Sequence, residues 1–309
     1  MNRRRSWVFA VVSSFLFGIG GCEMGDGGQD LEAIPFVPMT EDLRIGAVDD
    51  PEYAFSTVVA LEVSPSGTIF SLHPQESAVR RWSPEGHFEG MIGRRGEGPG
   101  EFTQPLEMGW HGDSLWVFDS SRNSRISFFD ADGTYVGALT PQVDLGSAEQ
   151  SSQGIFPARP AGLLSDGTIY GVTPAFSHAV VDGTLTSLAH VRMDPEGRTV
   201  DTLLTTPIGR SRVLGVLRDG GGTFTSQPFG DADLVLVEND RRSLLTLERK
   251  AASSEGQHEF RLTRVSLEGD TVFSRSYPYQ AVPVTPDTVQ KAIDSAAEGL
   301  HGFLGERTG

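Results

Sequence analysis

The chain has 309 residues, is 38% hydrophobic and 21% charged, and carries a formal net charge of −16. That composition fits a globular protein with a sizeable core and excludes a disordered one. The charge argues against nucleic-acid binding, because phosphate neutralisation needs clustered Lys and Arg, and the basic residues here are scattered pairs such as Arg94 and Arg95.

The first 21 residues read as an export signal. Arg3, Arg4 and Arg5 form a basic n-region, and an apolar run from Trp7 to Ile19 follows, too short for a comfortable membrane span. The run ends in "IGGC", which resembles the lipobox cleaved by the bacterial lipoprotein signal peptidase. Cys22, the only cysteine of the chain, would become the lipidated first residue of the mature protein. No intrachain disulfide can then form, so an exported domain must rest on packing alone. Residues 22–40 are Gly-rich and acidic with no periodicity, as a flexible tether would be. These signals place the protein at the cell envelope, facing the periplasm or the outer surface, with the membrane as a partner through its anchor.

From Val58 onward, short runs of β-branched and aromatic residues alternate with turn residues, and a repeated unit emerges. Residues 66–88 and 112–135 share one pattern: a turn, an alternating strand, a polar loop, a second strand ending in an aromatic, a glycine turn and a third strand. The turn recurs as "SPEG", "DADG", "DPEG" and "SLEG", ending at Gly86, Gly133, Gly197 and Gly269. A tight hairpin loop often needs one residue at positive φ, which glycine adopts without steric cost. By subtraction the intervals are 47, 64 and 72 residues. The first suits a four-stranded propeller blade; the others require insertions, such as 144–156 and 251–257.

The stretch "GRRGEGPGEF", residues 93–102, is not a phosphate-binding loop. No Gly-Lys-Ser/Thr follows it, no helical period opens after it, and the glycine spacing is not the dinucleotide fingerprint. With the strands behind it, this region resembles the NHL repeat. The matching residues are Gly96, Gly98, Pro99, Gly100, Phe102, Pro105, Asp119, Asn123, Arg125, Ile126, Phe129, Asp130 and Gly133. The export signal, lipobox and weaker units together are similar to bacterial six-bladed β-propeller lipoproteins. That resemblance implies an all-β propeller of four-stranded blades over 41–284, on a six-bladed template. Four units are legible, so either the ring is incomplete or the chain is shortened relative to its kin. Residues 285–309 are expected to add a helix: Thr285-Pro286-Asp287 is a start signal, and Val289, Ala292, Ile293, Ala296 and Leu300 share one face. Such a helix could cap an exposed side of the propeller.

Chemistry is sparse. The seven histidines show no ligand spacing and are mostly expected at the surface or in loops. His73 and Asp119 occupy the same position in the first two units, near a propeller face, and are the candidate channel or ligand residues; the competing reading of Asp119 is a cap for the following loop backbone. Arg125 is expected to pair with acidic neighbours between blades. "DADG" lacks the downstream Glu of a calcium loop, and no nucleophile elbow occurs. No metal or cofactor is assigned. The leading reading is a non-catalytic module that binds a protein, peptide or glycan; the alternative is a metal-dependent propeller hydrolase or lyase with a central-channel site.

Overall fold

The computed structural model describes residues 38–47, 49–121, 124–142, 157–173, 186–208, 213–218, 221–226, 233–250 and 258–305. The signal segment, Cys22, most of the tether, Asn123 and both expected insertions lie outside these residues.

Four antiparallel meanders of four strands make up the body. Sheet 1 holds β1 (Ala60–Val63), β2 (Ile69–His73), β3 (Ala78–Trp82) and β4 (Phe88–Ile92); sheet 2 holds β5 (Pro105–His111), β6 (Ser114–Asp119), β7 (Arg125–Phe129) and β8 (Tyr135–Leu139). Sheet 3 holds β9 (Arg159–Leu163), β10 (Ile169–Val172), β11 (Ser187–Met193) and β12 (Thr199–Pro207). A two-stranded hairpin, β13 (Val213–Arg218) and β14 (Gly221–Ser226), precedes sheet 4, which holds β15 (Leu234–Val237), β16 (Ser243–Lys250), β17 (His258–Ser266) and β18 (Thr271–Tyr279). A helix, α1 (Pro286–Gly305), follows sheet 4.

The repeated glycine turn has one mechanical cause in all four sheets. Gly86, Gly133, Gly197 and Gly269 sit at φ between 84° and 90°, and each N–H closes a turn on the carbonyl three residues back. Beside each turn the ladder between the third and fourth strands shifts register, at Arg81/Trp82, Phe128/Phe129, Arg192/Met193 and Arg264/Val265. A turn followed by a left-handed residue forms a glycine bulge, which matches the twist of the flanking strands.

Strand alternation then sends side chains to both faces, and each sheet packs on the next. In β6, Leu115 and Val117 meet Phe70, Leu72 and Val79 of sheet 1. Trp116 and Phe118 point the other way, onto Leu163, Ile169 and Val191 of sheet 3. Leu164, Tyr170 and Leu203 of sheet 3 meet Leu244 and Leu267 of sheet 4. The first strands come together as β1 against β5 and β5 against β9. Sheets stacked face to face, with their first strands gathered on one side, are the blades of a β-propeller. Among the described residues there are four such blades and the hairpin, not the six of the expected template.

The outer face of sheet 1 is covered by the chain that precedes it. Tyr53 and Phe55 each lie 5.5 Å from the Trp82 ring, and the Arg80 Nη1 donates to the Glu52 carbonyl at 2.7 Å.

The Gly-rich stretch is the joint between sheets 1 and 2. Phe102 is fully buried in their shared core, against Phe129. A Cβ on Gly93, which sits at φ 80°, would lie 2.2 Å from that ring. The Glu101 carboxylate accepts from the Gly98 N–H at 2.9 Å and Arg94 Nε at 2.8 Å, and these bonds hold it below the usual carboxylate range, the Gly98 N–H most of all. Arg125 does not pair with an acidic side chain as expected; it donates to the backbone carbonyls of Glu97 and Glu101, bracing the loop from β7. Charges and glycines thus serve one purpose: they fold the joint tightly enough to drive Phe102 inward.

Phe102→Ala is expected to cost about 3–5 kcal/mol, read as a lowered denaturant midpoint with an unchanged slope. A loss under about 1 kcal/mol would show that the joint does not depend on this ring.

Candidate functional site: an ionic hub where the sheets meet

Where the first strands gather, side chains from three sheets converge. β1 alternates, so Ala60 and Glu62 turn toward sheet 2 while Leu61 and Val63 turn away and stay exposed. In β5 the register slips between Pro105 and Glu107, a bulge that leaves Leu106 exposed and aims Glu107 at the hub.

The cation comes from sheet 4. The turn between β15 and β16 holds Arg241 at φ 57°, with its N–H on the Glu238 carbonyl at 2.8 Å and its own carbonyl accepting from the Ser165 N–H of sheet 3 at 3.0 Å. From there the side chain crosses to sheet 2. Nη2 donates to Glu107 Oε1 at 3.0 Å and to the Met108 carbonyl at 2.9 Å, and the guanidinium lies 4.8 Å over the Trp116 ring. Gly162 of β9 leaves the space beside it; a Cβ there would touch Arg241 Nη1 and Trp116 at 3.5 Å. The Arg241 side chain is only 12% exposed, so carboxylate, carbonyl and ring together replace the water it has lost. Glu62 is the odd member: burial pushes its carboxyl up, Arg241 opposes the rise and Glu107 adds to it.

Two buried histidines lie elsewhere. His73, expected near a propeller face, is fully buried in sheet 1 beneath the Phe55 ring. Its Nε2 bonds the Ser71 hydroxyl at 2.9 Å, and that hydroxyl also accepts from the Trp82 indole at 2.9 Å. His73 Nδ1 stands 3.7 Å from Glu76 without a hydrogen-bond partner, and burial lowers its pKa despite that carboxylate. His190 of sheet 3 is buried as well. Its Nδ1 shares a hydrogen bond with the Tyr170 hydroxyl at 2.6 Å and its Nε2 faces Thr206 Oγ1 at 3.3 Å. Burial pulls the His190 pKa down to about 4 and pushes that of Tyr170 up, so both are neutral near pH 7 and the pair is a packed, satisfied one.

Asp119 is buried at the end of β6 and accepts from the N–H groups of Thr103 at 2.8 Å, Gln104 at 2.9 Å and Ser121 at 3.1 Å. This arrangement organises the entry to β5. His73 and Asp119 keep separate sets of partners in separate sheets. Among the described residues, no group of three or more His, Cys, Asp or Glu is placed to share a metal ion, and no helix is long and apolar enough to cross a membrane. Sequence reasoning missed Glu62, Glu107 and Arg241. The one local signal was "ENDRRS", a turn sequence with a cation at its tip.

No protein-family model matches the chain, and no curated protein matches it. Solved structures align over most of its length at low identity. One is a protein of Bacteroides fragilis inferred to be exported, with 12% identity, TM-score 0.39, and coverage of 83% of this chain and 86% of that one. A second is a catalytically inactive virginiamycin B lyase from Staphylococcus aureus with quinupristin, with 12% identity, TM-score 0.34, and coverage of 75% and 59%. A third is a functionally unknown protein from Desulfotomaculum acetoxidans, with 8% identity, TM-score 0.35, and coverage of 75% and 73%.

Glu62→Gln is expected to stabilise the protein at neutral pH. A carboxyl whose folded pKa is raised contributes stability below its unfolded pKa and loses it as pH rises through the folded value. The variant should therefore melt higher than the parent at pH 7, and the gap should close as the pH falls below 4. A variant that melts lower than its parent at pH 7 would show that the Glu62 charge is favourable where it sits.

Proposed function

We propose that the chain is an exported, lipid-anchored β-propeller of NHL-like blades that acts as a non-catalytic binding module at the cell envelope. The export signal and the lipobox at Cys22 support the location. The observation that carries the binding reading is β1, where Leu61 and Val63 stand 63% and 55% exposed on the face turned away from Glu62, with Leu106 of β5 a further exposed aliphatic side chain. Large apolar side chains left exposed on a rigid sheet mark a protein contact site. Among protein, peptide and glycan ligands it favours a peptide or protein segment with apolar side chains, laid along β1 and β5. The hub itself supports this division of labour: Arg241 and Glu107 are committed to each other and to the backbone, which keeps the platform rigid while the rim stays available.

The alternative, a metal-dependent propeller hydrolase or lyase, would use His73 and Asp119. Both would first have to give up the buried partners described above.

The test is selection of peptides from a displayed library on the full-length protein, followed by affinities for a Leu61→Asp/Val63→Asp variant. Enriched apolar peptides that bind the parent and lose at least tenfold on the variant, with melting unchanged, are expected. Absence of enrichment, or equal binding by the variant, would contradict the reading. Stoichiometric metal and a hydrolytic activity, both lost in Asp119→Ala, would favour the enzyme.

A further inference from the structure

The last sheet has two unlike faces. Cross-strand pairing places Val237, Leu244 and Val265 on one face, where Leu244 is buried against sheet 3 with Val237 packed beside it. The opposite face carries the row Leu234, Leu247, Leu262 and Arg275, then Leu236, Leu245, Arg264 and Phe273, then Arg249, Phe260 and Tyr277. Apart from its three arginines that second face is apolar. Yet Leu234 and Leu236 are 55% and 59% exposed, and the Phe260 ring meets its sheet neighbours Tyr277, stacked, and Tyr279, tilted, at 5.4 and 6.1 Å between ring centres. A sheet with apolar residues on both faces needs cover on both.

The element that follows has the matching need. Helix α1 opens with a proper cap, the Thr288 N–H on Thr285 Oγ1 at 3.3 Å, and Gln290 bonds Asp294 along its polar side at 2.8 Å. At the start of its apolar stripe Val289 is 39% and Ile293 51% exposed. Most helical stability in proteins comes from packing an amphipathic face.

We infer that α1 folds back across the outer face of sheet 4 and closes this end of the blade array. Lengths agree, since 20 helical residues and a nine-residue strand each span about 30 Å. Six residues, 280–285, join the last strand to the helix and extend to about 20 Å, against about 15 Å across four strands. The opposite end of the array already uses this device, with Tyr53 and Phe55 of the preceding chain laid over Trp82 of sheet 1.

Amide hydrogen exchange on the full-length protein tests the docking. Amides within 288–295 should be protected at least a hundredfold over the unstructured rate, independently of protein concentration. They should fall below tenfold both in Leu247→Asp/Leu262→Asp and in Ile293→Asp, the latter leaving the sheet sequence untouched should the former fail to fold. Less than tenfold protection in the parent, or full protection retained in Ile293→Asp, would overturn the inference. Protection that appears only as concentration rises would overturn it as well, by making a second copy of the chain the occupant.

Discussion

A four-stranded sheet with apolar side chains on both faces cannot stand alone in water, and the described residues of this protein hold four of them in series. Each sheet solves the problem by giving one face to the sheet before it and the other to the sheet after it. Sheet 2 shows the rule most fully: successive residues of β6, from Leu115 to Phe118, go alternately to two different cores, and all four are buried. The joints between sheets must then be short and tightly folded. That requirement explains the density of glycine and charge in residues 93–102, where Glu101 and Arg125 fasten a loop that carries Phe102 into the core. The ends of the series are where the rule breaks, and at sheet 1 the preceding chain supplies the cover, with Tyr53 and Phe55 on Trp82.

Gathering the first strands creates the second feature, a hub in which charges from distant parts of the chain meet. A guanidinium as enclosed as that of Arg241 is tolerable only with partners in fixed positions. Glu107, the Met108 carbonyl and the Trp116 ring provide them from one sheet, while the Ser165 N–H of another fixes the turn from which it projects. Consequently the interior of the hub is spoken for. What remains open to solvent lies beside it, the aliphatic side chains of Leu61 and Val63 on β1 and Leu106 on β5, and that is where the binding reading places a ligand.

Much of the blade was legible in the sequence because it is written locally. A glycine at positive φ with a bulge beside it recurs every time the third strand turns into the fourth, and the order of residues alone marks those turns. The start of α1 is equally local. Asp119 was visible as a residue of interest, but whether it would face a ligand or a loop depended on the Thr103 and Gln104 amides, 15 to 16 residues away. The burial of His73 and His190 turned on Phe55 and Tyr170, neither adjacent in the chain. The hub was illegible for the same reason on a larger scale: Arg241 and Glu107 are 134 residues apart, and no spacing rule connects a hairpin tip to a bulge two sheets away. The four units that the repeated turn marks correspond to the four blades of the described residues; the six of the template came from the family resemblance and not from the turns themselves.

The convergence of sheets 2 and 4 on one hub is the claim from which the rest follows, and a double-mutant cycle measures it directly. With Arg241→Met and Glu107→Gln made singly and together, unfolding free energies should show a coupling of about 1 kcal/mol. Effects that add to within about 0.3 kcal/mol would mean the two side chains do not meet, and the radial arrangement would fail with them.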